Sequence, residues 1–408
     1  MNQHLVIVGA GQAAAQLILS GRQHGYEGRI TLVAEEPWLP YQRPPLSKKY
    51  LAGDFERSRL FLKPESFYKE RGVEVLNGRR AIELSTDSQR LRLSDGSTLT
   101  YDRLALATGA SPRKLEILGS ELEGVHYLRT IDDVDAIRSN LETSKRVVIV
   151  GAGYIGLEVA ASCVALGCQV TVLEAAPRIL GRVVSDSTAE FFAELHASHG
   201  VAIHCNAAIE RFSGTTRVTG VTMHDGSEYE CDCVIIGIGV VPNTTLAEQA
   251  DIDCDNGVSV DPHTKTSVPN VVALGDCTSH PHPLVGTRIR LESVQNAIEQ
   301  GKSAASTLFA EPRAFDDVPW FWSDQYDIKL QIAGLAREYD STVTRGDRSL
   351  RSFAVYYLDG RRLVAVDAIG APREFILAKK LLAERAELDP QAIADPGVNL
   401  EEVSIRAS

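Results

Sequence analysis

Short apolar runs that end in glycine and hand over to a stretch of helical period occur twice along this chain. Residues 4–8 read as a buried strand. Gly9-Ala10-Gly11-Gln12-Ala13-Ala14 follows, then a helix to about His24 and a second strand over 29–33 that leads to Glu35 and Glu36. The same order returns at 145–150, Gly151-Ala152-Gly153-Tyr154-Ile155-Gly156, a helix to about Leu166, and a strand over 169–173 that ends at Glu174. Both are βαβ units. After each comes strand-type alternation with a turn, at Asp95-Gly96 in one case and Asp225-Gly226 in the other. The alternation closes at Leu104–Gly109 and at Val234–Gly239. A further strand pair leads to residues 270–276, and a helix is expected over 293–309. The tail predicts two strands, 352–358 and 362–368, around Asp359-Gly360. An amphipathic helix over 373–385 should then turn Phe375, Ala378, Leu381 and Leu382 inward.

At 408 residues the chain is too long for one core and predicts two or three domains. It holds no apolar run long enough to cross a bilayer, and its first residues lead straight into a strand with no basic leader. A formal charge of −12 argues against a nucleic-acid partner, because phosphates need a basic surface. Seven cysteines, an odd number, fit reduced thiols in a cytoplasmic protein.

A glycine triplet alone is a weak signal. Here each follows a strand, opens a helix and is answered by an acid at the end of the next strand, which completes a dinucleotide fingerprint. Gly9 and Gly151 permit the tight turn, while Gly11 and Gly153 let the backbone approach a pyrophosphate. Ala14 and Gly156 let helix and strand pack, and the helix N-terminus faces the phosphates. Glu35 and Glu174 would each accept from ribose hydroxyls. Two such sites imply two dinucleotides or a duplication. The order of the later segments, Thr108-Gly109 before the second unit and Gly275-Asp276 well after it, is that of a flavin domain interrupted by a nicotinamide domain. Gly275 would leave room for the flavin chain and Asp276 would accept from a ribityl hydroxyl. The helix from about Ser293 would direct its positive end toward the flavin.

These features, together with Pro40–Lys48 (Pro-Tyr-Gln-Arg-Pro-Pro-Leu-Ser-Lys), Thr108–Arg113, Arg290–Ala297 and Pro319–Gln325 (Pro-Trp-Phe-Trp-Ser-Asp-Gln), resemble a known family over essentially the whole length. It is that of the FAD-containing, NAD(P)H-dependent ferredoxin reductases of oxygenase systems, the group of putidaredoxin reductase and biphenyl dioxygenase ferredoxin reductase. The resemblance implies an α/β, glutathione-reductase-like fold with two Rossmann-like domains and a C-terminal α+β domain. The expected FAD domain is 1–111 with 245–320, the nicotinamide domain 112–244, and the C-terminal domain 321–408. It implies electron transfer from NADH through non-covalent FAD to a 2Fe-2S ferredoxin serving a P450 or Rieske-type oxygenase, by a monomer or homodimer. Rubredoxin is the alternative carrier. An interaction protein of the apoptosis-inducing-factor type is the non-enzyme alternative, but it calls for a basic surface and a targeting leader.

The resemblance also implies roles. Lys48 would lie beside the isoalloxazine, Arg43 and Arg113 near the FAD phosphates and ribityl chain, and Trp322 between the flavin and the partner surface. Glu158 would face the nicotinamide carboxamide, and Glu174 would bind the adenine ribose, with Arg178 and Arg182 close by. Thr108, Gly239 and Val294 complete the set of cofactor contacts, Val294 standing where many relatives carry Trp. Of Trp320 and Trp322, one is expected to serve packing. The stretch Arg43–Leu51 contains no cysteine, which argues against a thiol relay beside the flavin. Cys231 and Cys233 are expected on one face of a core strand, His280 and His282 in a proline-rich loop, and no metal is implied. Arg288, Arg290, Lys302, Arg373, Lys379 and Lys380 are candidates for a basic docking patch.

Overall fold

The computed structural model describes residues 3–399 and 404–405. It divides into two compact units. One comprises the chain up to Gln42, Arg57–Ser111 and Val240–Asp317; the other comprises Arg43–Glu56, Pro112–Gly239 and the chain from Val318 onward.

The first unit is built on a parallel sheet of five strands in the order Val271–Ala273, Arg103–Leu106, His4–Val8, Arg29–Val33 and Val73–Leu76. The run Leu5-Val6-Ile7-Val8 is apolar at every position because both faces of this sheet are covered. Leu5 and Ile7 pack with Ala14, Leu17 and Ile18 of the Gln12–Gln23 helix and with Ala304, Ala305 and Leu308 of the Val294–Phe309 helix. Val6 and Val8 pack on the opposite face with Leu84, Leu91 and Leu93, which come from a three-stranded antiparallel sheet over Ala81–Ser85, Arg90–Leu93 and Thr98–Thr100. The two helices lie close together. A Cβ on Gly301 would fall 2.9 Å from the Ala13 carbonyl oxygen.

The second unit repeats the plan. Its parallel sheet runs Ala202–His204, Gln169–Leu173, Arg146–Val150, Cys233–Ile236, Val125–Tyr127. A three-stranded sheet over Ile209–Gly214, Val218–Met223 and Glu228–Glu230 covers one face. The same unit carries an antiparallel sheet whose main path is Trp320–Gln325, Ile328–Gly334, Arg362–Ile369, Ser352–Asp359, Ser341–Asp347, backed by the Pro372–Ala383 helix. That helix buries Phe375, Ala378, Leu381 and Leu382, as its period predicts. The second unit also contains the short Pro44–Ser47 turn of helix, so the Pro-Pro-Leu-Ser-Lys segment groups with the second fingerprint.

Two expectations about packing change. Cys231 precedes its strand and clusters with Val234 and Ile236, whereas Cys233 opens the strand. Strand alternation puts Cys233 on the face opposite Val234, so the two thiols do not share one. His280 and His282 lie buried in a strand, Thr278–His282, rather than a loop, with Phe315 against both rings. Trp320 packs on Phe375 at 5.8 Å between centroids and is covered by the Lys379 ammonium, which places it in the packing role.

One buried group ties the fold to pH. Asp367, fully buried, accepts from the Tyr357 hydroxyl, which in turn accepts from the Ser185 amide at the cap of the Asp186–Ser198 helix. Burial pushes the Asp367 carboxyl up to about 7. In the unfolded chain it titrates near its ordinary value of about 4. Below that value the group is neutral in both states and costs nothing. As pH rises above about 4 the unfolded chain releases this proton while the folded state keeps it, so stability falls progressively until about pH 7, where the folded state takes on the charge and the loss levels off. Asp367→Asn is therefore expected to show a smaller fall in unfolding temperature between about pH 5 and pH 8 than the parent does. Equal slopes in a thermal melt series would contradict this.

Candidate dinucleotide and redox sites

In the first unit, parallel strands carry Gly9, Glu35, Thr108 and Asp276 past one edge of the sheet, the carboxyl end where open α/β sheets take ligands. Gly9 has φ +103°, and a Cβ there would sit 2.1 Å from the Ala107 carbonyl oxygen. Gly11 caps the Gln12–Gln23 helix with no side-chain acceptor, so the first-turn amides keep their donors for a ligand. Ala14 is fully buried in the contact with the sheet. Glu35 is exposed, with Arg80 3.8 Å away. Thr108 is pinned through Asn243, whose side-chain amide nitrogen donates to the Thr108 carbonyl at 2.8 Å while its main-chain carbonyl accepts from Thr108 Oγ1 at 2.7 Å.

The Gly275-Asp276 turn is held by a residue that the sequence did not single out. Gln300, fully buried, accepts from the Gly275 amide at 2.7 Å and from Thr278 Oγ1 at 2.9 Å, and its amide nitrogen meets His280 Nδ1 at 3.1 Å. Burial pushes His280 down to about 3, so its ring is neutral and Nδ1 can accept. Only its place one turn after Asn296, in the helix expected to face the flavin, could have drawn attention to Gln300. Val294, half-buried, begins that helix, and Ser293 Oγ caps it by accepting from the Asn296 amide. In its first turn Gln295 Oε1 and Asn296 Oδ1 are buried without a hydrogen-bond partner.

In the second unit, Gly153 caps the Tyr154–Ala165 helix, again with no side-chain acceptor. A Cβ on Gly156 would meet the Gly151 carbonyl oxygen at 2.0 Å, so this position excludes the alanine that the first unit carries at Ala14. Glu174 is held in place before any ligand arrives. One oxygen accepts from the Ala152 amide at 2.7 Å and the other from the Ala176 amide at 2.8 Å. Arg178 is committed to its own loop, donating to the Val184 carbonyl and pairing with Asp186 at 3.0 Å, whereas Arg182 is exposed. The Gly239 carbonyl accepts from the Arg113 amide, and the Arg43 guanidinium donates to the Arg129 carbonyl.

Lys48 and Glu158, far apart in sequence, meet in this unit. The ammonium lies 2.8 Å from Glu158 Oε2, and the carboxylate is only 4% exposed. Ser47 Oγ donates to the same oxygen at 2.6 Å and Ser323 Oγ to the other at 2.6 Å. A buried carboxylate requires this many donors to offset its lost hydration. Trp322, half-buried, precedes Ser323 on the strand and lies 5.6 Å from Trp320.

Of the expected docking cations, three are occupied within the chain. Arg288 donates to the Val260 and Ser279 carbonyls, Arg290 pairs with Glu292, and Lys302 pairs with Glu299 at 2.7 Å. Arg373 and Lys380 are exposed on the Pro372–Ala383 helix beside Ile376, which is itself 68% exposed.

Residues 3–301 match the family described as pyridine nucleotide-disulphide oxidoreductase, and residues 320–404 match that of the reductase C-terminal domain. The chain belongs to the pyridine nucleotide-disulphide oxidoreductase family. Members of this group are FAD-containing, NAD(P)H-dependent oxidoreductases. Rhodocoxin reductase of Rhodococcus erythropolis is 40% identical over 398 residues, covering 97% of this chain and 93% of its own length. A ferredoxin–NAD(P)(+) reductase of Sphingomonas sp. is 41% identical over 396 residues, covering 96% and 95%. Among solved structures, the covalent putidaredoxin reductase–putidaredoxin complex matches with a TM-score of 0.95 at 38% identity, covering 98% of both chains. The α/β fold and the two-cofactor reading are thereby borne out. The disulphide in the family name has no counterpart in the Arg43–Leu51 stretch, where there is no cysteine, and all seven thiols of the chain are free. Among the described residues, no helix is long and apolar enough to cross a membrane.

Proposed function

We propose that this chain is a cytoplasmic NADH-dependent ferredoxin reductase that passes electrons through FAD to a 2Fe-2S ferredoxin serving a P450 or Rieske-type oxygenase, acting as a monomer or homodimer without nucleic-acid or membrane partners. The observation that carries the reading is the end-to-end similarity to a ferredoxin–NAD(P)(+) reductase in a chain with no redox cysteine in the Arg43–Leu51 stretch. Bound FAD accepts two electrons together and releases them singly, which suits a one-electron carrier.

The residues present fit the cofactor. The uncapped helix after Gly11 and the orphaned Gln295 Oε1 and Asn296 Oδ1 offer groups that a bound dinucleotide would satisfy. Glu35 and Asp276 would accept from ribose and ribityl hydroxyls, Thr108 and Val294 would border the flavin chain, and Arg43 and Arg113 would neutralise phosphate charge. Lys48 would set a positive charge against the ring, and Trp322 would cover it. Gly151, Gly153, Gly156 and Gly239 would line the NADH site, with Glu158 toward the carboxamide and Arg182 at its rim. We assign the FAD domain to 1–111 with 245–320, the NADH domain to 112–244 and the C-terminal domain to 321–408.

Glu174 makes NADH the donor. Its fixed carboxylate suits a ribose 2′-hydroxyl and repels a 2′-phosphate. NADH is expected to exceed NADPH in kcat/KM by at least about tenfold, a difference of roughly 1.4 kcal/mol. Glu174→Gln keeps an acceptor for only one of the two backbone amides but removes the charge, and should narrow the gap. Equal kcat/KM values in the parent would refute this. For the partner, NADH-dependent reduction of a panel of purified 2Fe-2S ferredoxins and rubredoxins is the deciding assay. Reduction of rubredoxin alone would select the alternative carrier, and reduction of neither would end the electron-transfer reading.

A further inference from the structure

The Trp-Phe-Trp-Ser-Asp-Gln segment has an inward face that the cofactor assignments leave unused. On the Trp320–Gln325 strand, Ser323 and Gln325 are fully buried while Trp322 and Asp324 are half-exposed. Ser323 Oγ lies 2.6 Å from Glu158 Oε1, and Gln325 Nε2 lies 3.2 Å from Ser323 Oγ. Gln325 Oε1 meets His196 Nε2 at 2.9 Å, and His196 Nδ1 meets the Tyr326 hydroxyl at 3.1 Å.

The charge on Glu158 sets the direction of every bond in this chain. A carboxylate only accepts, so the single Ser323 hydroxyl proton points to it. Gln325 must then donate to Ser323 Oγ, which turns its carbonyl oxygen toward His196. The ring therefore carries its proton on Nε2 and accepts at Nδ1 from Tyr326. Burial keeps the participants in these forms, since His196 is pushed down to about 4 and Tyr326 up to about 12. Tyr326 sits at φ +55° in the turn between two strands, a conformation that costs a bulky residue energy, and its ring stacks on His199 at 3.7 Å. Four donors in series thus point at one carboxylate, whose other oxygen holds the Lys48 ammonium.

We propose that Ser323, aligned by Gln325, His196 and Tyr326, is a positioning residue for electron transfer: it fixes the Glu158 carboxylate and, through it, the Lys48 charge. The inference rests on the reading that Lys48 serves the flavin, and three variants separate the two. Ser323→Ala removes the last donor, Ser323→Thr keeps it, and Lys48→Met removes the charge itself. Each is purified with its FAD content measured, then followed for flavin midpoint potential and for the single-turnover rate of reduction by NADH. Ser323→Ala is expected to retain FAD, to slow reduction about fivefold, as for loss of part of a charge-assisted hydrogen bond, and to shift the potential in the same direction as Lys48→Met. Ser323→Thr should restore both. If Lys48→Met moves potential and rate while Ser323→Ala moves neither, the network is only structural and the inference is overturned. If Lys48→Met itself leaves both unchanged, the placement of Lys48 at the flavin fails, and the inference falls with it.

Discussion

Lys48→Met is expected to slow NADH reduction of the flavin about a hundredfold, roughly 2.7 kcal/mol of lost electrostatic stabilisation. The Lys48 side chain is 16% exposed, so its charge is poorly screened by water, and the Glu158 contact fixes its position. On the proposed placement of Lys48 at the flavin, reduction would put negative charge on the cofactor, and a pre-positioned ammonium would stabilise that charge without reorganisation. A confounding effect has to be separated. Removing Lys48 also strands a buried carboxylate, which costs about 3–5 kcal/mol of stability when a buried pair is broken on one side. The double variant Lys48→Met with Glu158→Gln removes both charges and should recover folding stability while remaining slow. Rapid-mixing measurements of flavin bleaching, with thermal melts in parallel, give the two quantities independently. A rate within about twofold of the parent in both variants would show that the lysine is structural only.

The second large effect separates the two fingerprints. Gly9→Ala places a Cβ 2.1 Å from the Ala107 carbonyl oxygen, and Gly156→Ala places one 2.0 Å from the Gly151 carbonyl oxygen. Neither obstacle is a flexible side-chain end, so the backbone itself must move. At Gly9 the φ of +103° adds strain that an alanine rarely tolerates. Gly9→Ala is therefore expected to purify largely without FAD, with affinity lowered at least about a hundredfold, a loss of roughly 2.7 kcal/mol. Gly156→Ala should remain yellow, with one FAD per chain released by acid precipitation, but should reduce slowly at any practical NADH concentration. Absorbance of the purified proteins and titration with NADH measure both. A Gly9→Ala protein that keeps its full complement of FAD would remove the assignment of the first fingerprint.

Much of this was visible along the chain, for a local reason. A strand, a glycine turn, a helix and a terminal acid are contiguous, and their function depends on backbone geometry set by neighbours within one βαβ unit. Gly9, Gly11, Gly151, Gly153 and Glu174 accordingly stand where period and punctuation put them, and the amphipathic Pro372–Ala383 helix buries the four residues its spacing selects. The same local reasoning failed where burial outweighed composition. His280-Pro281-His282 has the look of a loop, yet it forms a strand because its backbone pairs with Thr287–Ile289 and its rings pack on Phe315.

Charge partners were the least legible part. Lysine and arginine read from sequence are free cations, but Arg288, Arg290 and Lys302 are each taken by carbonyls or carboxylates of their own unit. Whether a cation is available to a partner depends on acids and carbonyls that arrive from distant segments. By itself, then, the sequence determined the fold class, the two dinucleotide fingerprints and the lack of cysteine in the Arg43–Leu51 stretch, because each is written in contiguous residues. Only the tertiary structure decided that Lys48 meets Glu158, that Gln300 holds the Gly275 turn, and that Ser323, Gln325, His196 and Tyr326 form one aligned chain. Those bonds join segments separated by 25 residues or more in all but the Gln325–Ser323 contact within one strand, and a buried hydrogen bond exists only where packing brings donor and acceptor within about 3 Å.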